Sequence, residues 1–180
     1  MVLSKGSPSG TPAGLRIRLA DRDELTFGPD PVGDIRSIFH FVFSDDSQLL
    51  AYTRVSIGAS DLYVTDLDSG QTSHIFQLEG GDYSSQPVFN SSGTRILFTS
   101  FGQSEGGIAG QRLFSSPVVG GDPMELLSPS VEILPAYGFK FVPDRSSVVF
   151  RARADLLPAF SLFSLPTDGS IESPIQLSPL

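Results

Sequence analysis

Phe43-Ser44-Asp45-Asp46-Ser47-Gln48-Leu49-Leu50-Ala51-Tyr52 returns 46 residues later as Phe89-Asn90-Ser91-Ser92-Gly93-Thr94-Arg95-Ile96-Leu97-Phe98. It returns again, 52 residues further on, as Phe141-Val142-Pro143-Asp144-Arg145-Ser146-Ser147-Val148-Val149-Phe150. Each copy runs from an aromatic residue through turn chemistry into an apolar strand. Units repeated at such a period cannot bury their own apolar faces and stack on one another. The pattern argues for a binding scaffold more than for an enzyme.

A second phrase follows each copy: Asp61-Leu62-Tyr63-Val64-Thr65-Asp66, Arg112-Leu113-Phe114-Ser115-Ser116 and Ser161-Leu162-Phe163-Ser164-Leu165. Turn signals come next, at Asp68-Ser69-Gly70, Gly120-Gly121-Asp122 and Thr167-Asp168-Gly169. Glycine supplies positive φ in such turns, and Asp and Ser bond their own backbone. A short apolar run then closes each unit at Leu78, Leu127 and Leu177.

Four short runs per unit, rich in β-branched and aromatic residues, read as a four-stranded meander. The strand pairs fall at 37–43 with 48–55 and 62–66 with 73–78; at 86–89 with 95–100 and 112–117 with 124–127; and at 136–141 with 147–151 and 160–165 with 174–177. A four-stranded sheet at this period is the expectation for a β-propeller blade. Upstream, Leu15-Arg16-Ile17-Arg18-Leu19 and Glu24-Leu25-Thr26-Phe27 add one outer hairpin. The reading is all-β: a lead-in at 1–14, a partial blade at 15–30, and blades at about 35–79, 83–128 and 133–178.

These phrases resemble the WD-like propeller repeat of TolB-type proteins, best at Phe43-Ser44-Asp45-Asp46, Asp61-Leu62-Tyr63-Val64-Thr65-Asp66 and Leu25-Thr26. The third copy, Val142-Pro143-Asp144-Arg145, is degenerate. The resemblance implies a non-catalytic scaffold for protein–protein interaction. It also implies two alternatives: a propeller segment gating access to a serine peptidase of prolyl oligopeptidase or tricorn type, or a lectin-like propeller binding sugar or calcium. Periplasmic location would follow from the family, although Met1–Gly10 lacks the apolar core of a signal peptide. Three and a half units fall below the usual 4–8 blades. The chain is therefore expected to be part of a propeller, or half of a ring closed by a homodimer.

Composition narrows the partners. A net charge of −8 and 12 scattered basic residues oppose binding to a phosphate backbone, so no nucleic-acid partner is expected. No run is long and apolar enough for a membrane span. Without cysteine there is no thiolate ligand and no cysteine nucleophile.

Gly102-Gln103-Ser104-Glu105-Gly106 matches the G-x-S-x-G elbow of hydrolases. The elbow needs a helix after its serine, and Gly106, Gly107 and Gly110 disfavour one. The only histidines, His40 and His74, precede that serine, contrary to the hydrolase order. Each reads as structural. The acidic groups Asp21-Arg22-Asp23-Glu24, Asp45-Asp46 and Asp66-Leu67-Asp68 lack calcium-loop spacing and read as turn residues, Asp46 closing a hairpin through backbone amides. No cofactor and no catalytic residue is expected. Partner contacts are expected at three loops, 101–111, 55–60 and 151–159, through Phe101, Gln103, Ser104, Glu105, Gln111, Arg54, Arg151 and Arg153.

Overall fold

The computed structural model describes residues 2–4, 15–18, 25–27, 35–56, 59–79, 86–103, 109–127, 132–133, 139–142, 146–153, 160–167 and 174–178. All regular structure among them is β. β1 (Val2–Ser4), β2 (Leu15–Arg18) and β3 (Leu25–Phe27) form an N-terminal antiparallel sheet. The hairpin of β2 and β3 is the one read from the sequence. β1 lies within the stretch read as a lead-in, of which 5–14 are outside the described residues: Val2 pairs Arg18 and Ser4 pairs Arg16. A three-residue strand is too short to announce itself by alternation.

Sheet 1 is the meander β4 (Ile35–Phe43), β5 (Leu49–Ser56), β6 (Ala59–Asp66) and β7 (Thr72–Glu79). Sheet 2 is β8 (Val88–Phe89), β9 (Arg95–Gln103), β10 (Ala109–Pro117) and β11 (Met124–Leu127). In sheet 3 the inner edge is split, β12 (Glu132–Ile133) and β13 (Phe139–Phe141) both pairing β14 (Ser147–Arg153). β15 (Ser161–Pro166) and β16 (Ile175–Gln176) complete it. The chain is therefore three four-stranded antiparallel blades preceded by a smaller sheet, an all-β partial propeller.

The hairpins joining second to third strands are longer than their sequence predicts. Ser56 pairs Ala59, and pairing continues through Phe101–Gln111, Gly102–Gly110 and Gln103–Ala109. β14 likewise runs on to Arg153. These residues carry no apolar alternation, yet each ladder step satisfies a backbone donor and acceptor. The segments read as loops at 55–60, 101–111 and 151–159 are thus largely strand where described.

Along β5, β9 and β14 the side chains alternate between faces. Ala51 and Leu62 of sheet 1 share a core with Ile96, Phe98 and Phe114 of sheet 2. Leu97 and Leu113, one residue away, turn to the opposite face and join Val148, Phe150 and Phe163 of sheet 3. Leu50 and Tyr52 sit on the far face of sheet 1 with Leu67. Each sheet therefore offers its successor an aliphatic face and its predecessor an aromatic one. The aromatic face carries a stacked cross-strand pair in all three: Tyr52–Tyr63 at 5.7 Å, Phe98–Phe114 at 5.4 Å and Phe150–Phe163 at 5.9 Å. A bulge between Leu62 and Tyr63 lets Ile75 and Phe76 both join the core shared with sheet 2, and sheet 2 repeats it between Leu113 and Phe114. Phe76 then lies 5.2 Å from Phe98 and 5.0 Å from Phe114.

Truncating this cluster is costly. Phe98→Ala is expected to lower stability by about 3–5 kcal/mol, whereas Leu162→Ala on the outer face of sheet 3 costs less than about 0.5 kcal/mol. Urea unfolding of the two variants against wild type measures both.

Candidate functional site

In each blade the turn between first and second strands and the turn between third and fourth lie at one end, because successive strands reverse direction. In sheet 1 the first turn is closed by Ser44 N–H donating to Leu49 O (3.0 Å) and Ser47 N–H donating to Ser44 O (2.9 Å). Ser44 Oγ donates to Asp46 Oδ1 at 2.6 Å and accepts from Leu49 N–H at 2.9 Å. Gln48 N–H also donates to Asp46 Oδ1, at 3.0 Å. In sheet 2, Asn90 N–H donates to Arg95 O and Asn90 Oδ1 accepts from Arg95 N–H at 2.9 Å. Ser47 has φ of 60° and Gly93, its counterpart one repeat later, 67°. The turn thus requires a left-handed residue at that position, which glycine meets at lower cost than serine.

One backbone bond ties the two turns of every blade: Leu67 N–H to Gln48 O (2.8 Å), Val118 N–H to Thr94 O (3.1 Å) and Thr167 N–H to Ser146 O (2.9 Å). Asp66 closes the outer turn of sheet 1 by accepting from Ser69 N–H at 2.7 Å and from Asp68 N–H at 3.0 Å. The Ser44 hydroxyl, then the Gln48 amide, hold the Asp46 carboxyl below its usual range. The Ser69 amide and hydroxyl do the same for Asp66.

A cleft of about 580 Å³ opens at this turn end, between the inner strands and first turns of sheets 2 and 3, with Asp45 from the first turn of sheet 1 and Thr167 from the outer turn of sheet 3. Phe89, Phe139 and Phe141 supply its aromatic lining, and Asn90, Ser92, Thr94 and Thr167 its polar one. Arg95 and Lys140 give it two cations and Asp45 one carboxylate. Arg95 is fixed by its Nε donating to Ser115 Oγ at 2.9 Å. The arrangement suits a ligand with apolar groups, backbone-like amides and some negative charge.

The residues expected to contact a partner lie elsewhere. Arg54 is in β5 beside Tyr63, on the face of sheet 1 turned away from sheet 2. Arg151 is in β14, paired with Leu162, on the face of sheet 3 turned away from sheet 2, its guanidinium 4.4 Å from the centre of the Phe160 ring. The two arginines therefore sit on opposite outer faces of the three-blade stack. Phe101, Gln103, Gln111 and Arg153 are strand residues at the end remote from the cleft, their side chains outside the described residues, and Ser104 and Glu105 lie outside them altogether. The sequence reading missed the cleft, whose walls come from three turns far apart in the chain.

Both histidines lie in sheet 1. His40 occupies a bulge in β4, with φ of 46°, and is exposed. His74 Nε2 meets Asp61 Oδ1 at 3.0 Å and its ring lies 5.2 Å from Tyr63. The same two positions carry Arg112 bonded to Glu125 in sheet 2 and Gln176 donating to Ser161 Oγ (3.2 Å) in sheet 3. A polar bridge with three unrelated chemistries is a device for tying the outer strands. Gly102 of the G-x-S-x-G stretch pairs Gly110 in a continuous ladder, and Ser104 and Gly106 lie outside the described residues. Among the described residues no three potential ligands converge on a metal position.

No protein-family model matches the chain, and no curated protein matches it. Solved structures match throughout its length. The TolB structure from Agrobacterium tumefaciens aligns over 97% of this chain and 58% of its own, at 15% identity and TM-score 0.57. TolB from Acinetobacter baumannii aligns over 98% of this chain and 40% of its own, at 16% identity and TM-score 0.56. Dipeptidyl peptidase 4 from Porphyromonas gingivalis aligns over 92% of this chain and 23% of its own, at 15% identity and TM-score 0.61. The fold is thus that of TolB-like β-propellers, and the chain spans less than two thirds of the length of these neighbours.

Two stability tests follow from the turns. Ser47→Gly is expected to raise stability by up to about 1 kcal/mol, read from thermal unfolding. Because the folded-state pKa of Asp46 is depressed, its contribution is full above the ordinary carboxylate range and is lost as pH falls through the folded value. The difference in urea midpoint between wild type and Asp46→Ala is expected to be constant at neutral pH and to narrow below about pH 4.

Proposed function

We propose that this chain is a non-catalytic protein-interaction scaffold of TolB-like propeller repeats, taking a polypeptide segment into the cleft at its turn end. The observation that carries this reading is the cleft itself, about 580 Å³, with aromatic lining, hydroxyl and amide groups and two cations on rigid strand ends and bonded turns. Grooves combining apolar surface with a few placed polar groups are what peptide and small-ligand sites require. The non-catalytic part is supported by the commitment of His74 to a bridge that other residue types make in the neighbouring blades.

A second reading, a propeller segment that gates substrate access to a serine peptidase, draws support from the match to dipeptidyl peptidase 4. A catalytic domain encoded in the same gene would favour it over the first.

A phage-displayed random peptide library panned on the full chain tests the scaffold reading. Enriched peptides, synthesised and titrated by calorimetry, are expected to bind wild type and to lose at least about tenfold in affinity on Ser92→Arg, which fills the cleft, or Lys140→Glu. No enrichment, or peptides indifferent to both variants, would sink the proposal.

A further inference from the structure

Leu49 and Val64 are diagonal neighbours on the face of sheet 1 that meets sheet 2, since Ala51 is the residue paired with Val64 across the β5–β6 ladder. Both are apolar, and both pack in the core that the two sheets share. Leu49 reaches beneath the first turn of sheet 2, its Cδ1 3.7 Å from where a side chain on Gly93 would begin. One repeat later the same two positions hold Arg95 and Ser115, with Leu97 paired to Ser115 as Ala51 is to Val64. The third copy has Ser147 and Ser164 there, Val149 being paired with Ser164. A charge at this position therefore belongs to the second copy alone.

The replacement is built into the blade interface. Ser115 is 0% exposed, on the face of sheet 2 where Leu97 and Leu113 join Val148 and Phe150 in an apolar core. A hydroxyl buried among such groups is unfavourable unless it is hydrogen-bonded, and its partner is Arg95 Nε, at 2.9 Å. With Nε committed, the guanidinium keeps the forked end formed by its two Nη groups, which suits a carboxylate through paired N–H donation. Among the described residues no carboxylate forms an ion pair with Arg95. It lines the cleft together with Phe139 and Phe141, which lie on the face of sheet 3 turned towards sheet 2. Lys140 and Asp45 add exposed charges of opposite sign, so two cations against one carboxylate leave a single positive charge in excess.

From the Arg95–Ser115 pair we infer that the cleft selects a ligand bearing a carboxylate, held by the forked end of the Arg95 guanidinium. The apolar side chain next to that carboxylate lies against Phe139 and Phe141. The inference rests on the reading of the cleft as a site for a polypeptide segment. The carboxylate is a chain terminus or an acidic side chain, and the two share the chemistry that Arg95 recognises. A single excess charge balances a carboxylate, whereas a phosphate group brings roughly two negative charges at neutral pH. Ser115, being buried, is a positioning residue that fixes the guanidinium and leaves its forked end to the ligand.

The test is an NMR titration of the isotope-labelled full chain with acetyl-Gly-Gly-Phe as the free acid, the same peptide as its C-terminal amide, and acetyl-Gly-Asp-Phe amide. At least one carboxylate peptide is expected to bind about fivefold or more tighter than the neutral amide. An advantage of the free acid identifies a chain end as the ligand group, and an advantage of the aspartyl peptide identifies a side chain. Arg95→Leu combined with Ser115→Val restores the apolar pair of sheet 1. That double variant is expected to fold, with a urea midpoint no lower than wild type, and to bind the three peptides alike. Ser115→Ala leaves the charge in place but frees the guanidinium, and should cut the preference to less than about twofold. Equal binding of acid and amide peptides, or a preference that survives the double variant or Ser115→Ala, overturns this inference and leaves the cleft reading standing. Silence from all three peptides overturns it too, and peptide panning then decides separately whether the cleft takes polypeptide.

Discussion

The constraint on which the structure depends is that each blade has two unlike faces. A stacked aromatic pair on one side must meet an aliphatic surface on the other, and neither can be buried by the sheet that carries it. The clusters make this concrete: Ile96, Leu97 and Phe98 are consecutive, yet Ile96 and Phe98 belong to one interface and Leu97 to the next. A single strand therefore serves two interfaces at once through the alternation of its side chains. Slipping the register of β9 by one residue would exchange both sets, so the packing of three sheets rests on the pairing of one.

Turn chemistry secures that register. The bond from Leu67, Val118 or Thr167 to the opposite turn couples the two hairpins of each blade with backbone groups alone, so it survives every change of side chain. Around it the side chains vary. Ser44 with Asp46 closes one inner turn, Asn90 with Ser92 and Thr94 closes the next, and a left-handed residue recurs at Ser47 and Gly93. The same division appears on the outer strands, where Asp61–His74, Arg112–Glu125 and Ser161–Gln176 bridge equivalent positions. Geometry is repeated and chemistry is not. The bridges in this chain are therefore poor guides to activity.

That division also explains what could be read from the residues. The blades, their meander order and the β2–β3 hairpin were legible because apolar alternation and turn residues recur at a fixed period. The extent of the long hairpins was not, since Gly102, Gln103 and Gly110 pair by backbone without any apolar signal. The bulge at His40 left no trace among its phenylalanine neighbours. Arg54 and Arg151 looked like members of one partner-binding end, but alternation sends Arg54 to the face of Tyr52 and Arg151 to the face opposite Phe150. The cleft was hidden for a different reason: Asp45, Ser92 and Ser146 each read as turn residues, and only the stacking of blades brings their turns around one space.

The unlike faces differ in chemistry from one copy to the next. On sheet 1 the aromatic row Phe41, Tyr52, Tyr63 and His74 crosses all four strands by direct cross-strand pairing, and its centre, Tyr52, is buried. On the outward face of sheet 3 the third copy departs from the repeat, placing an exposed Arg151 where Thr53 and Thr99 are buried. A uniform aliphatic face would accept any apolar sheet and invite indiscriminate association. An arginine set among leucines and valine keeps the dispersion contacts available while making burial unfavourable for a surface that brings no compensating charge. The third copy thus carries a charge at a position that the other two fill with a buried threonine.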